Sequence, residues 1–155
     1  ALMLSFYGLF GQSEYKNFSQ LTASLKQLNS KYGNLVELKS IGKSVQGKEI
    51  WLLTLSKGAK ASEKPAILIA SGLDAYHLAG VESSVQIAEK FLQNASKDSI
   101  NKVLESKTIY IVPCVNPDAY EQAFSKIMYE RNVNASNADN DRDGRLNEDG
   151  VEDLN

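Results

Sequence analysis

Asp74 and His77 lie three residues apart in the segment Ser71-Gly72-Leu73-Asp74-Ala75-Tyr76-His77-Leu78-Ala79-Gly80, and both side chains are competent ligands for a divalent metal. On a helical turn or a tight loop, that spacing lets both point at one ion. His77 is the only histidine of the chain, and a catalytic zinc takes three protein ligands, of which this pair supplies two. The same residues have an ordinary structural use, since Asp commonly caps a helix beginning just after it and a histidine near a helix start is often simply hydrogen-bonded. A second polar turn, Val115-Asn116-Pro117-Asp118-Ala119, also follows an apolar run. A third segment carries Asp139, Asp141 and Asp143 at alternate positions before Gly144, the Asp-x-Asp-x-Asp-Gly spacing that wraps oxygen ligands around calcium. The helix-loop-helix form of that motif has a bidentate Glu at its twelfth position. Here that residue is Gly150, which leaves Glu148 or Asp149 to substitute, or the whole to be a solvated acidic loop.

Elements must position these residues. Phe18, Leu21, Leu25, Leu28 and Tyr32 recur at steps of three and four and predict a helix from about Tyr15 to Lys31, ended by Gly33-Asn34. Leu35 to Ile41 and Glu49 to Leu55 are β-rich runs separated by the turn-prone Ser44-Val45-Gln46-Gly47-Lys48, which predicts an antiparallel hairpin with Trp51 packed in or beside it. Ala66 to Ala70 is a continuous apolar run of the kind buried on both faces, and so reads as a central strand. Val81, Val85, Ile87, Ala88, Phe91 and Leu92 carry helical spacing, a short helix covers Ser99 to Leu104, and Thr108 to Val115 is another strand. Strand, helix, strand in that order implies a parallel pair with a right-handed crossover. Ala119 to Met128 reads as one more helix. The two polar turns therefore leave the ends of two strands, the edge at which open α/β sheets bind ligands.

The composition narrows the choice of partner. A net charge of −2 gives no basic footprint for nucleic acid, and no stretch approaches the roughly 20 apolar residues of a membrane span. From Tyr129 onward eight acids face three arginines, and apolar residues become too sparse for core. Cys114, the only cysteine, sits in an apolar run and reads as a small core residue. Residues 1–12 resemble the back half of a secretory signal peptide, which predicts a secreted or periplasmic protein; their other reading is an ordinary buried N-terminal segment.

The chain resembles the zinc metallocarboxypeptidases of the carboxypeptidase A type, from about Tyr15 to the C-terminus. The opening helix, Leu35-Val36-Glu37-Leu38, Ile41-Gly42-Lys43-Ser44 with Gln46-Gly47-Lys48 and Ile50-Trp51, the strand to Ser71-Gly72, and Val115-Asn116-Pro117-Asp118 fall in the family's order. The resemblance implies an α/β fold with a mixed, largely parallel sheet and helices on both faces, of which residues 13–155 are the N-terminal part of the catalytic domain. It also implies a peptide substrate, zinc as cofactor, and removal of C-terminal residues by a metal-activated water. The family's first zinc-binding pair is His-x-x-Glu, then a glycine three residues later and a glutamate two beyond. Here the frame reads Asp74-x-x-His77, Gly80, Glu82, with the ligand types exchanged.

The family's Asn-Pro-Asp-Gly turn is kept as Asn116-Pro117-Asp118, with Ala119 in place of glycine. Arg131 falls where the carbonyl-polarising arginine is expected. Asp141-Arg142 occupies the place of an Asn-Arg pair that holds the substrate's terminal carboxylate, and Arg142 and Asn116 are accordingly the substrate-binding candidates. The arginines have a second reading, as neutralisers of an acidic loop, and Asp141-Arg142 cannot freely serve both a calcium loop and a carboxylate clamp. The family's third ligand, a histidine, and its late glutamate base have no counterpart among these residues, so the 155 residues alone are expected to be inactive. Two further functions fit the same scaffold: a non-catalytic, calcium-stabilised peptide-binding module, and a deacylase acting on a small amide.

Overall fold

A computed structural model describes residues 15–58, 60–74 and 77–125. Asn17 starts the first helix. Its side chain accepts from the Gln20 amide while the Gln20 side chain accepts from the Asn17 amide, a reciprocal capping box that sets helix α1 at Phe18–Lys31. Leu21, Leu25 and Leu28 form its buried stripe. The predicted hairpin follows as β1 (Val36–Lys43) and β2 (Glu49–Leu55), paired antiparallel with a register shift between Ser40 and Gly42. Trp51 turns from the hairpin onto α1, its Nε1 donating to Thr22 Oγ1 at 3.1 Å.

After β3 (Ala66–Ala70) come α2 (Leu78–Gln93), α3 (Asp98–Ser106), β4 (Thr108–Val112) and α4 (Pro117–Gln122). The sheet order is β1-β2-β4-β3. It is mixed, as expected: β3 and β4 form the parallel pair, and the other two pairings are antiparallel. Leu53 faces Ile111 and Leu55 faces Ile109 across β2 and β4, and these four belong to one buried cluster with Leu21 and Leu25 of α1, Val81 and Val85 of α2, Leu104 of α3 and Tyr120 of α4. Because side chains alternate along a strand, the described helices gather on the sheet face that carries those four residues.

The run Ala66 to Ala70 is a strand, but not a central one among the described residues. It ends the sheet order, and Ile67 and Leu68 are 48% and 66% exposed. Its composition is that of a parallel strand covered on both faces, yet Ile67 and Leu68, which point to opposite faces, are both exposed, so the described elements leave much of it uncovered on either side. The other edge is different: β1 carries Lys39, Lys43 and the register shift, devices that discourage pairing with another chain. Two helices also begin or end away from the sequence expectation. α1 begins at Phe18 rather than Tyr15, and α4 occupies Pro117–Gln122 rather than Ala119 to Met128, of which residues 126–128 lie outside the described part.

Candidate metal and substrate site

Two loops leave the same end of the sheet, one after β3 and one after β4. Ser71 carries the β3–β4 ladder one step further, its amide donating to the Val112 carbonyl at 3.0 Å. The second loop then bonds to the first: the amide of Val115 donates to the Ser71 carbonyl and that of Asn116 to the Gly72 carbonyl, each at 2.9 Å. Ser71 Oγ donates to the Pro113 carbonyl at 2.8 Å and lies 3.0 Å from Ser84 Oγ. Gly72 sits where only glycine fits. Its φ is +65°, and a Cβ there would meet the Cys114 Cα and Val81 Cγ2 at 2.9 Å.

Past this crowded point the chain emerges into solvent. Asp74 Oδ2 lies 3.3 Å from His77 Nδ1, with the two side chains 43% and 71% exposed, and the His77 amide donates to the Asp74 carbonyl at 3.4 Å. His77 takes the cap position of α2, yet its side chain makes no capping bond. Helix capping therefore does not account for the imidazole. A zinc ion with oxygen and nitrogen ligands at about 2.0–2.1 Å in tetrahedral array has ligand atoms about 3.3–3.4 Å apart. The separation of Oδ2 and Nδ1 is compatible with two corners of such a site, a donor set that zinc accepts, and it is equally the contact distance of a plain carboxylate–imidazole pair, the hydrogen-bonded use that the sequence also allows. Among the described residues no group of three His, Cys, Asp or Glu side chains converges, so these residues supply two corners only.

The loop after β4 uses its polar groups within the fold. Asn116 caps α4, its Oδ1 accepting from the Ala119 amide at 3.2 Å, with Pro117 in the first helical position, where a missing N–H costs nothing. Its side-chain carbonyl is therefore committed to the fold, while the amide N–H groups are not used in that bond. Ala119, in the place of the family's glycine, is helical and fully buried.

Asp118 is the residue whose part the sequence did not disclose. Its side chain is wholly buried, and its carboxylate accepts from Ser44 Oγ at 2.8 Å, the Gln46 amide at 3.2 Å and Lys48 Nζ at 3.3 Å. Ser44 Oγ in turn accepts from the Lys48 amide at 3.0 Å. The signal was present in two separated pieces, because Ser44 with Gln46-Gly47-Lys48 and Asn116-Pro117-Asp118 are both stretches that carry the family resemblance. What sequence could not show is that they meet. Between them lies a cavity of about 400 Å³ with largely apolar walls, including Val45, Ile50, Leu73, Val115 and Pro117. Beneath the loops, Cys114 is the buried core residue its surroundings predicted, and burial pushes its thiol up to about 12, which keeps it protonated and inert.

Arg131, Arg142, Asp139, Asp141 and Asp143 lie outside the described residues, as does the leader-like stretch 1–12. No described helix is long and apolar enough to cross a membrane.

Comparison with known proteins gives the family and the fold. The zinc carboxypeptidase family model matches residues 21–154. A zinc carboxypeptidase of Saccharothrix mutabilis subsp. capreolus is 34% identical over 113 residues, which are 72% of this chain and 26% of that protein. Carboxypeptidase D of Anas platyrhynchos is 31% identical over 125 residues, 79% of this chain and 9% of that protein. Among solved structures, carboxypeptidase A from Helicoverpa armigera superimposes with a TM-score of 0.67 at 22% identity, covering 76% of this chain and 28% of that one. The chain thus spans about a quarter or less of the length of these curated relatives, and the structural likeness shows the shared mixed α/β fold. With a family match over residues 21–154 and a relative 34% identical over 72% of the chain, the chain belongs to the zinc carboxypeptidase family.

Proposed function

We propose that the protein is a zinc-dependent metallocarboxypeptidase-like hydrolase that removes C-terminal residues from peptides and is exported to the cell exterior or periplasm. The observation that supports the reading is the pairing of Asp74 Oδ2 and His77 Nδ1 at 3.3 Å, in the sequence frame of the family's ligand pair and at the sheet end where the two loops emerge. Asp74 and His77 hold the zinc. When bound, zinc supplies Lewis acidity toward a peptide carbonyl and acidifies a bound water. Arg131 stabilises the negative charge developing on the carbonyl oxygen, and Arg142 grips the terminal carboxylate, because a planar guanidinium gives two parallel hydrogen bonds to it. Asn116 contributes its amide N–H groups to the substrate. The remaining metal ligand and the general base come from residues other than these.

Metal analysis of the full-length protein and its His77→Ala variant tests the reading. The wild type should carry zinc and release C-terminal residues from peptides, and the variant should lose both. Zinc affinity should also fall on acidification, since protons compete for both ligands. Equal zinc content in the two proteins removes His77 from the site. Peptide binding with neither bound zinc nor hydrolysis in the wild type would favour the non-catalytic, calcium-stabilised module, a reading prompted by the exchanged order of carboxylate and imidazole.

The acidic segment enters the same proposal as a calcium site at Asp139, Asp141 and Asp143, since three carboxylates at alternate positions repel one another until a divalent cation sits among them. Added calcium should protect residues 139–150 from limited proteolysis; unchanged cleavage would leave the segment a solvated acidic loop.

A further inference from the structure

We infer that Asp118 is a positioning residue: clamped by Ser44, Gln46 and Lys48 of the β1–β2 turn, it fixes the loop after β4 and, through that loop, the bearing of Asp74 and His77. The inference rests on the reading of those two side chains as metal ligands. It starts from an imbalance. Asp74 and His77 are exposed and near one another, so their own contacts do little to hold them. A carboxylate removed from water, by contrast, persists only where its hydrogen bonds and a countercharge are supplied, and Asp118 obtains all of these from a turn about seventy residues earlier in the chain.

The relay from Asp118 to the ligands is continuous. Asp118 belongs to the first turn of α4, which Asn116 caps, so clamping the carboxylate fixes the backbone at 115 and 116. The amides of those residues hold the carbonyls of Ser71 and Gly72. Gly72 packs so closely on Cys114 and Val81 that even a Cβ would meet them at 2.9 Å, and such a contact passes a displacement of the second loop to the first. Leu73 and Asp74 follow directly. Residues that orient metal ligands without touching the metal typically change affinity by about 10–100-fold when replaced.

The experiment compares full-length wild type with Lys48→Met, Lys48→Arg, Asp118→Asn and the milder Ser44→Ala, each first shown to be folded by circular dichroism. Zinc affinity is measured by competition with a chromophoric chelator, and ligand geometry by the visible absorption of the cobalt(II) form. Lys48→Met and Asp118→Asn should bind zinc about tenfold more weakly or worse, with shifted cobalt bands, and Lys48→Arg should recover most of the loss. A purely structural role would lower the unfolding midpoint while leaving affinity and spectrum of the folded variants at wild-type values, and that result overturns the inference. Ser44→Ala decides the matter if the stronger variants do not fold. Amide hydrogen exchange at Val115 and Asn116 in the metal-free protein reads the relay independently, and should quicken in every variant except Lys48→Arg. If the wild type takes up neither zinc nor cobalt, the carboxypeptidase reading fails, and exchange alone decides: unchanged rates overturn the relay.

Discussion

The loop after β3 and the loop after β4 lie side by side at one end of the sheet and are built on opposite plans. The first ends in Asp74 and His77, two paired and exposed side chains. The second buries a charge, caps a helix, places Pro117 in its first turn and donates two amides to its neighbour. The first loop presents chemistry at almost no cost to folding, and the second invests its polar groups in holding the first. Ligand residues must be accessible, which deprives them of the packing that would orient them, so the orientation is imported from buried residues that never meet the ligand.

The sharpest way to break this contrast is to strike where the two loops touch. Gly72→Ala places a side chain at φ +65° against the backbone of Cys114, and should cost about 3 kcal/mol or more from the combined conformational strain and overpacking. Urea denaturation measures it; a loss below about 1 kcal/mol would mean that the loops are not in the close contact described.

A smaller effect should appear at alkaline pH, confined to the buried side of the contrast. The Cys114 thiol and the Tyr120 phenol are both raised by burial, the first from 9.0 to about 12 and the second upward from 10.0. The unfolded chain therefore releases these protons at lower pH than the folded one. Their contribution to stability is intact below about pH 9 and is lost as pH rises through the folded values. Unfolding midpoints measured across that range should decline, and less steeply in Cys114→Ala; a flat profile in the wild type would show that the two groups are not shielded from water.

The smallest effect should come from the exposed loop itself. His77→Ala removes a side chain that is 71% exposed and caps nothing, so stability should stay within about 0.5 kcal/mol of wild type even as zinc is lost. A destabilisation well above that value would mean that the imidazole serves the fold as well as the metal.

What the sequence made legible follows the reach of each interaction. The Asp74 and His77 frame, the hairpin and the helical stripe of Leu21, Leu25 and Leu28 depend on neighbours a few residues away, so spacing alone discloses them. The starts of α1 and α4 were also written locally, in the Asn17/Gln20 capping box and in Asn116-Pro117, and the apolar periodicity drew attention past both. Ala66 to Ala70 has the composition of a covered strand, but its cover is supplied from elsewhere, and composition does not say by what. The burial of Asp118 was illegible for the same reason, since a carboxylate in a turn reads as solvated until Lys48 is known to lie beside it.

Lys16 has a consequence in time. Its carbonyl accepts the hydroxyl of Tyr120, 104 residues away, and its amide and Nζ both bind the carboxylate of Glu82. The β1–β2 hairpin can close in about 1–10 μs from local contacts, whereas the Lys16 clasp must wait until the segments it joins have met, because loops of that span cost entropy before they return any contact. Tyr120→Phe, which removes the hydroxyl of this clasp, should therefore speed unfolding more than it slows folding. The first described residues of the chain thus tie α2 and the last described helix together, across sequence separations of 66 and 104 residues.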